Sequence, residues 1–456
     1  KHPKPEDLKL IFEKNTDKKL DWLFHDLMQT TKKIDYAIKD IQNNQDDFII
    51  TIKNKGEIAS PLSISGIKDQ SIQNTMWIDG FTDTKEINYK NLDYDFIQID
   101  ANQKMYEIKN NNNIIKTKGL FKKIEPLRFQ FLGSLYDQTK TQIFYHPNIK
   151  LNYYDKTMIG MKFYNQFLPN SGVIFKVNPM YSTGLKTLSG NAKILYNYYT
   201  RNSFIKKIET GFSISKFSYG TDLTYKKIEP FLNYYFNKKN PRRLFDFSAE
   251  NSLIILEKEI EKINFFTSSW SLQNKNLIAP YTLNITGEFG KEFKKISFEA
   301  NYKYRFNKKK KITARYYLGI VKATNHIYDI QMSAWNGPKD YGFSHNFIGR
   351  SETDGILSQQ ITNREGGIKH ITNLSSESYL SSINLEYSLS QIFNIYIEAG
   401  TNSHEIVYGS GLNLIITDGL NIYIPLYTES GLSDFKTLKL LRYNINLKVN
   451  FNLFSD

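Results

Sequence analysis

Tyr443 to Phe454 reads YNINLKVNFNLF. From Tyr443 to Leu453 every odd position is apolar or aromatic and every even one is Asn or Lys. Successive side chains of a strand point to opposite faces, so this stretch has one greasy face and one wet face. An ordinary strand runs to about five or six residues, whereas a tilted strand that crosses a bilayer needs about 9–11. The run is of the second length.

The same period recurs upstream. Ile296, Phe298, Ala300, Tyr302, Tyr304 and Phe306 alternate with Ser, Glu, Asn, Lys and Arg. Tyr281–Phe289, Ile312–Ile320, Phe393–Ala399 and Leu420–Leu426 behave alike. Several joins are tight, among them Pro169–Gly172, Asn307–Lys311 and the hairpin dipeptide Asp418-Gly419. From residue 141 onward the pattern predicts an antiparallel transmembrane β-barrel of about 14 strands, with about 12–16 as the range and even numbers favoured. Its last strand, carrying Tyr443, Ile445, Leu447, Val449, Phe451 and Phe454, is expected to close the barrel against its first and so remove both edges. A strand ending near a Phe resembles the assembly signal of outer-membrane proteins, which implies outer-membrane lipid and the barrel assembly machinery as partners. The trailing Ser455-Asp456 departs from that signal. A soluble all-β binding protein, built as a sandwich or propeller with long strands, satisfies the same alternation.

Composition fits the barrel. Apolar residues make up 40% and mean hydropathy is −0.48, and no run of 18 apolar residues offers a transmembrane helix. A barrel needs none, because half its strand residues face a polar lumen. The 31 Tyr and 31 Phe suit interfacial aromatic girdles. Net charge is +14, but the Lys cluster in turns such as Asn307–Lys311 and no aromatic–basic RNA signature accompanies them, so no nucleic-acid partner is expected. The chain has no Cys, which excludes disulfides, thiolate zinc sites and cysteine nucleophiles.

Ahead of the barrel the period changes twice. Residues 1–45 read as helical: Pro5-Glu6-Asp7 is a helix start, and Leu20, Leu23, Phe24, Leu27 and Met28 share one helical face. Residues 46–113 read as a small β-sandwich, with short strands at Phe48–Lys53, Pro61–Ile67, Ile72–Ile78, Lys85–Tyr89 and Asp95–Ile99. Residues 114–140 read as a connector to the barrel of 141–456. The polar opening Lys1-His2-Pro3-Lys4 is no signal peptide, so an exported protein of this kind is expected to be a piece of a longer precursor.

Chemistry is sparse. The seven His are His2, His25, His146, His326, His345, His370 and His404, and none pair at i, i+4. His404 and Glu405 read as barrel or turn residues. Ser213-Ile214-Ser215-Lys216 matches S-x-x-K on a strand, where that motif has no helix N-terminus to work from. No catalytic, metal or cofactor-binding residue is assigned. The segment 323–378 is too long for a turn. Its stretch FIGRSETDGILSQQITNREGG, Phe347 to Gly367, carries Arg350, Glu352, Asp354, Gln359, Gln360, Arg364 and Glu365. Folded into a lumen, these charges and amides are expected to form a polar network that plugs the pore. Contact with a ligand or with the soluble domain, and a solvated surface loop, are the alternatives.

The stretch DLKLIFEKNTDKKLDWLFHDLMQTTKKIDYAI, Asp7 to Ile38, resembles the end of the helical domain of aminopeptidase N-like zinc metallopeptidases of the gluzincin type. The matching residues are Leu20-Asp21-Trp22-Leu23-Phe24 and Asp35-Tyr36-Ala37-Ile38. Pro61, Trp77-Ile78-Asp79-Gly80, Ile99-Asp100, Glu107 and Asn111-Asn112 fit the sandwich that follows it. Residues 1–113 carry this resemblance. From about residue 126 to the end, FIGRSETDGILSQQITNREGG and NIYIPLY (Asn421–Tyr427) resemble the C-terminal extension of such peptidases from Gram-negative bacteria. The family's zinc motif of two His around a Glu is missing. The resemblance implies that it lies in an upstream domain, which would bind the zinc and any peptide substrate. The chain is then expected to be a non-catalytic portion whose barrel anchors a metalloaminopeptidase-like protein in the bacterial outer membrane. A transporter or porin with a soluble accessory domain is the alternative.

Overall fold

A computed structural model describes residues 4–44, 46–119, 122–123, 127–133, 140–165, 172–200, 204–237, 240–259, 261–307, 309–335, 337–417, 419–433 and 441–445. The chain divides into two compact units, Lys1–Phe144 and Tyr145–Asp456.

The first unit opens with the helix Pro5–Thr16, which has Pro in its first turn and Glu6 and Asp7 beside its N-terminus. The Asp7 carboxylate accepts from the Lys4 backbone N–H at 2.9 Å, and Asp17 ends the helix in the left-handed conformation, φ 52°. A wide helical turn, Trp22–Leu27, follows. The helical reading of residues 1–45 fails after that turn, because Tyr36–Asn44 is a strand. Ile34, Ile38 and Ile41 are all buried and stand at helical spacing. The reason is a β-bulge between Ile38 and Asp40, which shifts the inward position by one residue.

Tyr36–Asn44 pairs with Asp47–Asn54, which pairs with Thr84–Lys90. A second sheet runs Ser71–Ile78, Leu62–Lys68, Phe96–Ile99 and Ile114–Lys116. Tyr36, Ile50, Ile52, Leu62, Ile64, Ile97 and Ile99 form one core between the sheets. One carboxylate borders it: Glu107 accepts from the Tyr36 N–H at 2.9 Å and from the Asn113 amide. Burial pushes the Glu107 pKa up to about 7, against the two donors.

The second unit is an antiparallel meander. From Lys156–Tyr164 to Leu420–Thr428 each long strand pairs with the next, and the sheet closes into a barrel. Among the described residues the closed sheet holds eighteen strand segments, one of them the two-residue arm Gly431–Leu432. The strands are long, up to Ile205–Gly220. Arg442–Ile445 pairs with Leu420–Thr428, with Tyr443 opposite Ile422 and Ile445 opposite Leu420. Leu447, Val449, Phe451 and Phe454 lie outside the described residues, as do Pro169, Asn170, Ser171 and Asp418 of the expected turns.

Alternation sorts the two faces. Ile285, Ile296, Ile320 and Ile397 are 50–60% exposed on the outside. Lys295, Arg315 and Glu398, one residue or a few away on the same strands, are buried on the inside. Exposed aromatics gather near both rims: Tyr181, Phe289, Tyr408 and Tyr427 at one, Tyr198, Tyr304 and Phe306 at the other. An apolar band between aromatic girdles is the surface of a lipid-embedded barrel.

Two outcomes follow from these faces. Glu107 is protonated more readily folded than unfolded, so the first unit is expected to lose stability as pH rises from about 4.5 to about 7, by up to roughly 3 kcal/mol. Glu107→Gln removes that slope, and hydrogen exchange of the Tyr36 and Ile108 amides in the full chain measures it. On the barrel, Ile285→Lys is expected to cost about 2–4 kcal/mol if it lies near the bilayer midplane and to deplete the heat-modifiable folded band on gels. The lumenal neighbour change Asn284→Lys is expected to leave that band in place.

Candidate functional site

The segment between Lys311–Ala323 and Tyr379–Ser388 touches many strands of the closed sheet. Phe343 stacks on Tyr225 with centroids 4.1 Å apart. Tyr341 packs edge-on against Phe265 and Phe293, and Tyr328 stacks on Phe293. The Ile348 carbonyl accepts from the Tyr153 N–H at 2.7 Å. On the far side, the Gly366 carbonyl accepts from Ser382 Oγ at 2.7 Å, and Ile361 N–H donates to the Tyr443 carbonyl at 2.8 Å. A segment with partners on many strands of a closed wall lies inside it.

Local chemistry gives the segment its turns. Asn325 caps a short helical turn by accepting from the Ile327 N–H at 3.0 Å. Ile330–Gln331 and Ser375–Ser376 form a two-stranded clasp. Asp340 accepts from the N–H groups of Ser344 and His345 and so bends the chain around Gly342. Gly367 has φ 67°, and a Cβ there would stand 2.7 Å from Arg315 Nη1, so both backbone and space require glycine.

Asp340 is the hub. Its side chain is 1% exposed, with Arg350 Nη1 at 3.0 Å and Arg364 Nη1 at 3.4 Å. Arg350 also donates to the carbonyls of Asp340 and His345 and lies over the rings of Phe343 and Phe347. Burial works against the Asp340 charge, but the two guanidinium groups outweigh it and hold its pKa below the ordinary carboxylate range. Glu365 joins the segment to the wall through Lys295 at 3.3 Å and caps the Gln331 N–H at 2.7 Å. Arg315 pairs with Glu299 at 2.6 Å, and Lys369 with the fully buried Glu398 at 3.1 Å. His370 Nε2 stands 2.9 Å from Glu429. A cavity of about 330 Å³ remains beside Glu288, Lys295, Glu299 and Arg364.

Not every residue expected in the network takes part equally. Arg350, Arg364 and Glu365 are ion-paired. Gln360 is buried, with Oε1 accepting from the Ile348 N–H and Nε2 donating to Asn346. The Gln359 carbonyl accepts from the Tyr443 N–H at 3.1 Å. Glu352 sits at the margin beside Tyr154, and Asp354 is exposed ahead of the short helix Gly355–Ser358. Sequence reasoning missed Asp340 and the wall partners Lys295, Arg315 and Glu398. The inward parity of the last three is visible in the strand alternation, but nothing in the sequence marks Asp340. His404 lies in a turn, its N–H donating to Asn402 Oδ1. Among the described residues no three His, Asp or Glu gather as a metal site.

The closed sheet, its apolar outer band and its polar interior define a transmembrane β-barrel of the outer-membrane type. No protein-family model matches the chain, and no curated protein does. Similar solved structures include BamA from Haemophilus ducreyi lacking POTRA domains 1–3, 10% identical, with TM-score 0.39 over 67% of this chain and 72% of that one. Another is the outer membrane protein OprD from Pseudomonas aeruginosa, 10% identical, with TM-score 0.31 over 81% and 87%. A third is CdiB from Acinetobacter baumannii, 10% identical, with TM-score 0.31 over 65% and 60%. At this distance the reading rests on the chain's own geometry.

Removing Asp340 tests the hub. Asp340→Ala strands the buried Arg350 guanidinium and the half-buried Arg364 and is expected to destabilise the barrel by about 3 kcal/mol, read as an earlier thermal loss of the fast-migrating gel band. Asp354→Ala is expected to leave that midpoint unchanged.

Proposed function

We propose that the barrel is an outer-membrane anchor, closed by its own inner segment, and that it holds the first unit at the membrane. The observation that carries this reading is the burial of Asp340 between Arg350 and Arg364, with Lys295–Glu365 and Lys369–Glu398 tying the same segment to two strands of the wall. An open pore gains nothing from charges locked in this way, whereas an anchor needs a stable body that does not leak. In this reading the barrel assembly machinery delivers the chain by its terminal strand.

The resemblance of residues 1–113 supplies the finer half of the proposal. Leu20-Asp21-Trp22-Leu23-Phe24 and Asp35-Tyr36-Ala37-Ile38 then mark the end of an aminopeptidase N-like peptidase, and the sandwich is a spacer behind it. In this reading, as the resemblance implies, zinc and peptide substrate belong to that peptidase's catalytic domain.

Planar-bilayer recording separates anchor from porin. The full chain is expected to show no steady conductance, and deletion of 330–376 is expected to open one. Steady conductance from the unaltered chain overturns the anchor.

A further inference from the structure

One sector of the inner wall carries charge that the inner segment does not neutralise. It spans the strand ending at Asn152 and the strands Lys156–Tyr164, Val173–Ser182 and Thr187–Tyr199. Ile149, Val173 and Tyr196 are exposed on its outer face, and Asn178 and Asn197 are buried on its inner face. Lys150, Lys162, Lys176 and Lys193 share that inner parity.

The register brings the four together. Lys176 stands directly opposite Lys193. Lys162 lies two residues before Tyr164, which is the partner of Lys176. Lys150 Nζ is 3.4 Å from Asn191 Oδ1, and Asn191 is two residues before Lys193. An amide ladder crosses the same ground, Asn148 donating to Asn178 at 2.9 Å and Asn178 to Asn191 at 3.3 Å.

Among the described residues none of these four lysines has a carboxylate partner, although nearby Lys207 pairs with Glu209 at 2.9 Å and Lys227 with Glu229 at 2.6 Å. Lys150 lies over the Phe217 ring at 5.0 Å and Lys193 over the Phe231 ring at 4.3 Å, and the Glu250 carboxylate, opposite Phe231, acts on Lys193 without an ion pair. Like charges directly opposite on neighbouring strands destabilise a sheet. Beside them His146, 4% exposed and packed edge-on against Tyr164, leaves its Nε2 without a partner. An anion on this wall would relieve the repulsion and offer the buried nitrogen a partner.

We propose that this sector is a binding site for a soluble diphosphate or short polyphosphate. Each phosphate group brings about −1.5 to −2 charges, so two adjacent groups match four ammonium ions. A lumen walled by low-dielectric protein concentrates that attraction. The proposal is independent of the anchor reading, since it concerns a different wall and needs no through-flow.

Isothermal titration of the full chain in detergent micelles with sodium pyrophosphate, in chloride at physiological ionic strength, tests it. Saturable binding is expected, and Lys176→Gln with Lys193→Gln is expected to weaken it about tenfold or more. Lys226→Gln, which removes an exposed lysine paired with Glu257, is expected to change nothing. Without anion the double variant is expected to melt no lower than the parent, because repulsion is relieved. Absent binding to the parent chain, equal loss with Lys226→Gln, equal affinity for citrate, or a lower melting temperature of the anion-free double variant overturns the proposal.

Discussion

A strand inside a bilayer has no water for its N–H and C=O groups, and every group left unpaired costs several kcal/mol. Closing the sheet removes that cost, and the rest of the second unit follows from closure. Each strand must pair along most of its length on both sides, so the hairpins are long and their registers run almost unbroken, as in Arg243–Leu256 against Glu261–Asn274. A fixed register fixes the parity of every residue. Isoleucines such as Ile285, Ile296 and Ile320 then go to lipid, while Lys295, Arg315 and Glu398 go to the lumen.

Closure creates a second problem, because a polar lumen must be wetted or filled. Here the chain between Ala323 and Tyr379 fills much of it. Buried ion pairs contribute little net stability compared with apolar packing, but they penalise any displacement that separates them. Asp340 shared between two guanidinium groups, and Glu398 held by Lys369, therefore define one position for the segment rather than simply adding adhesion. The aromatic cluster of Tyr225, Phe343, Phe293 and Tyr341 supplies the apolar packing beside them. The small sandwich solves a different problem by ordinary means, with an isoleucine-rich core and the half-buried carboxylate of Glu107 at its border.

The sequence by itself determined the strands, their length and their two faces, because period-two alternation is a local property that survives any choice of neighbours. It marked the inner segment as an interruption and Arg350, Arg364 and Glu365 as its polar residues. It misled at Tyr36–Asn44, where the helical reading drawn from Pro5-Glu6-Asp7 and Leu20–Met28 was carried too far and the chain is a bulged strand. Tertiary structure alone decided what meets across the lumen. Lys295 finds Glu365 seventy residues away, Lys369 finds Glu398 twenty-nine residues away, and the Tyr153 N–H finds the Ile348 carbonyl. Such partners are set by shear, register and closure of the whole sheet, which are collective quantities carried by no short stretch of chain.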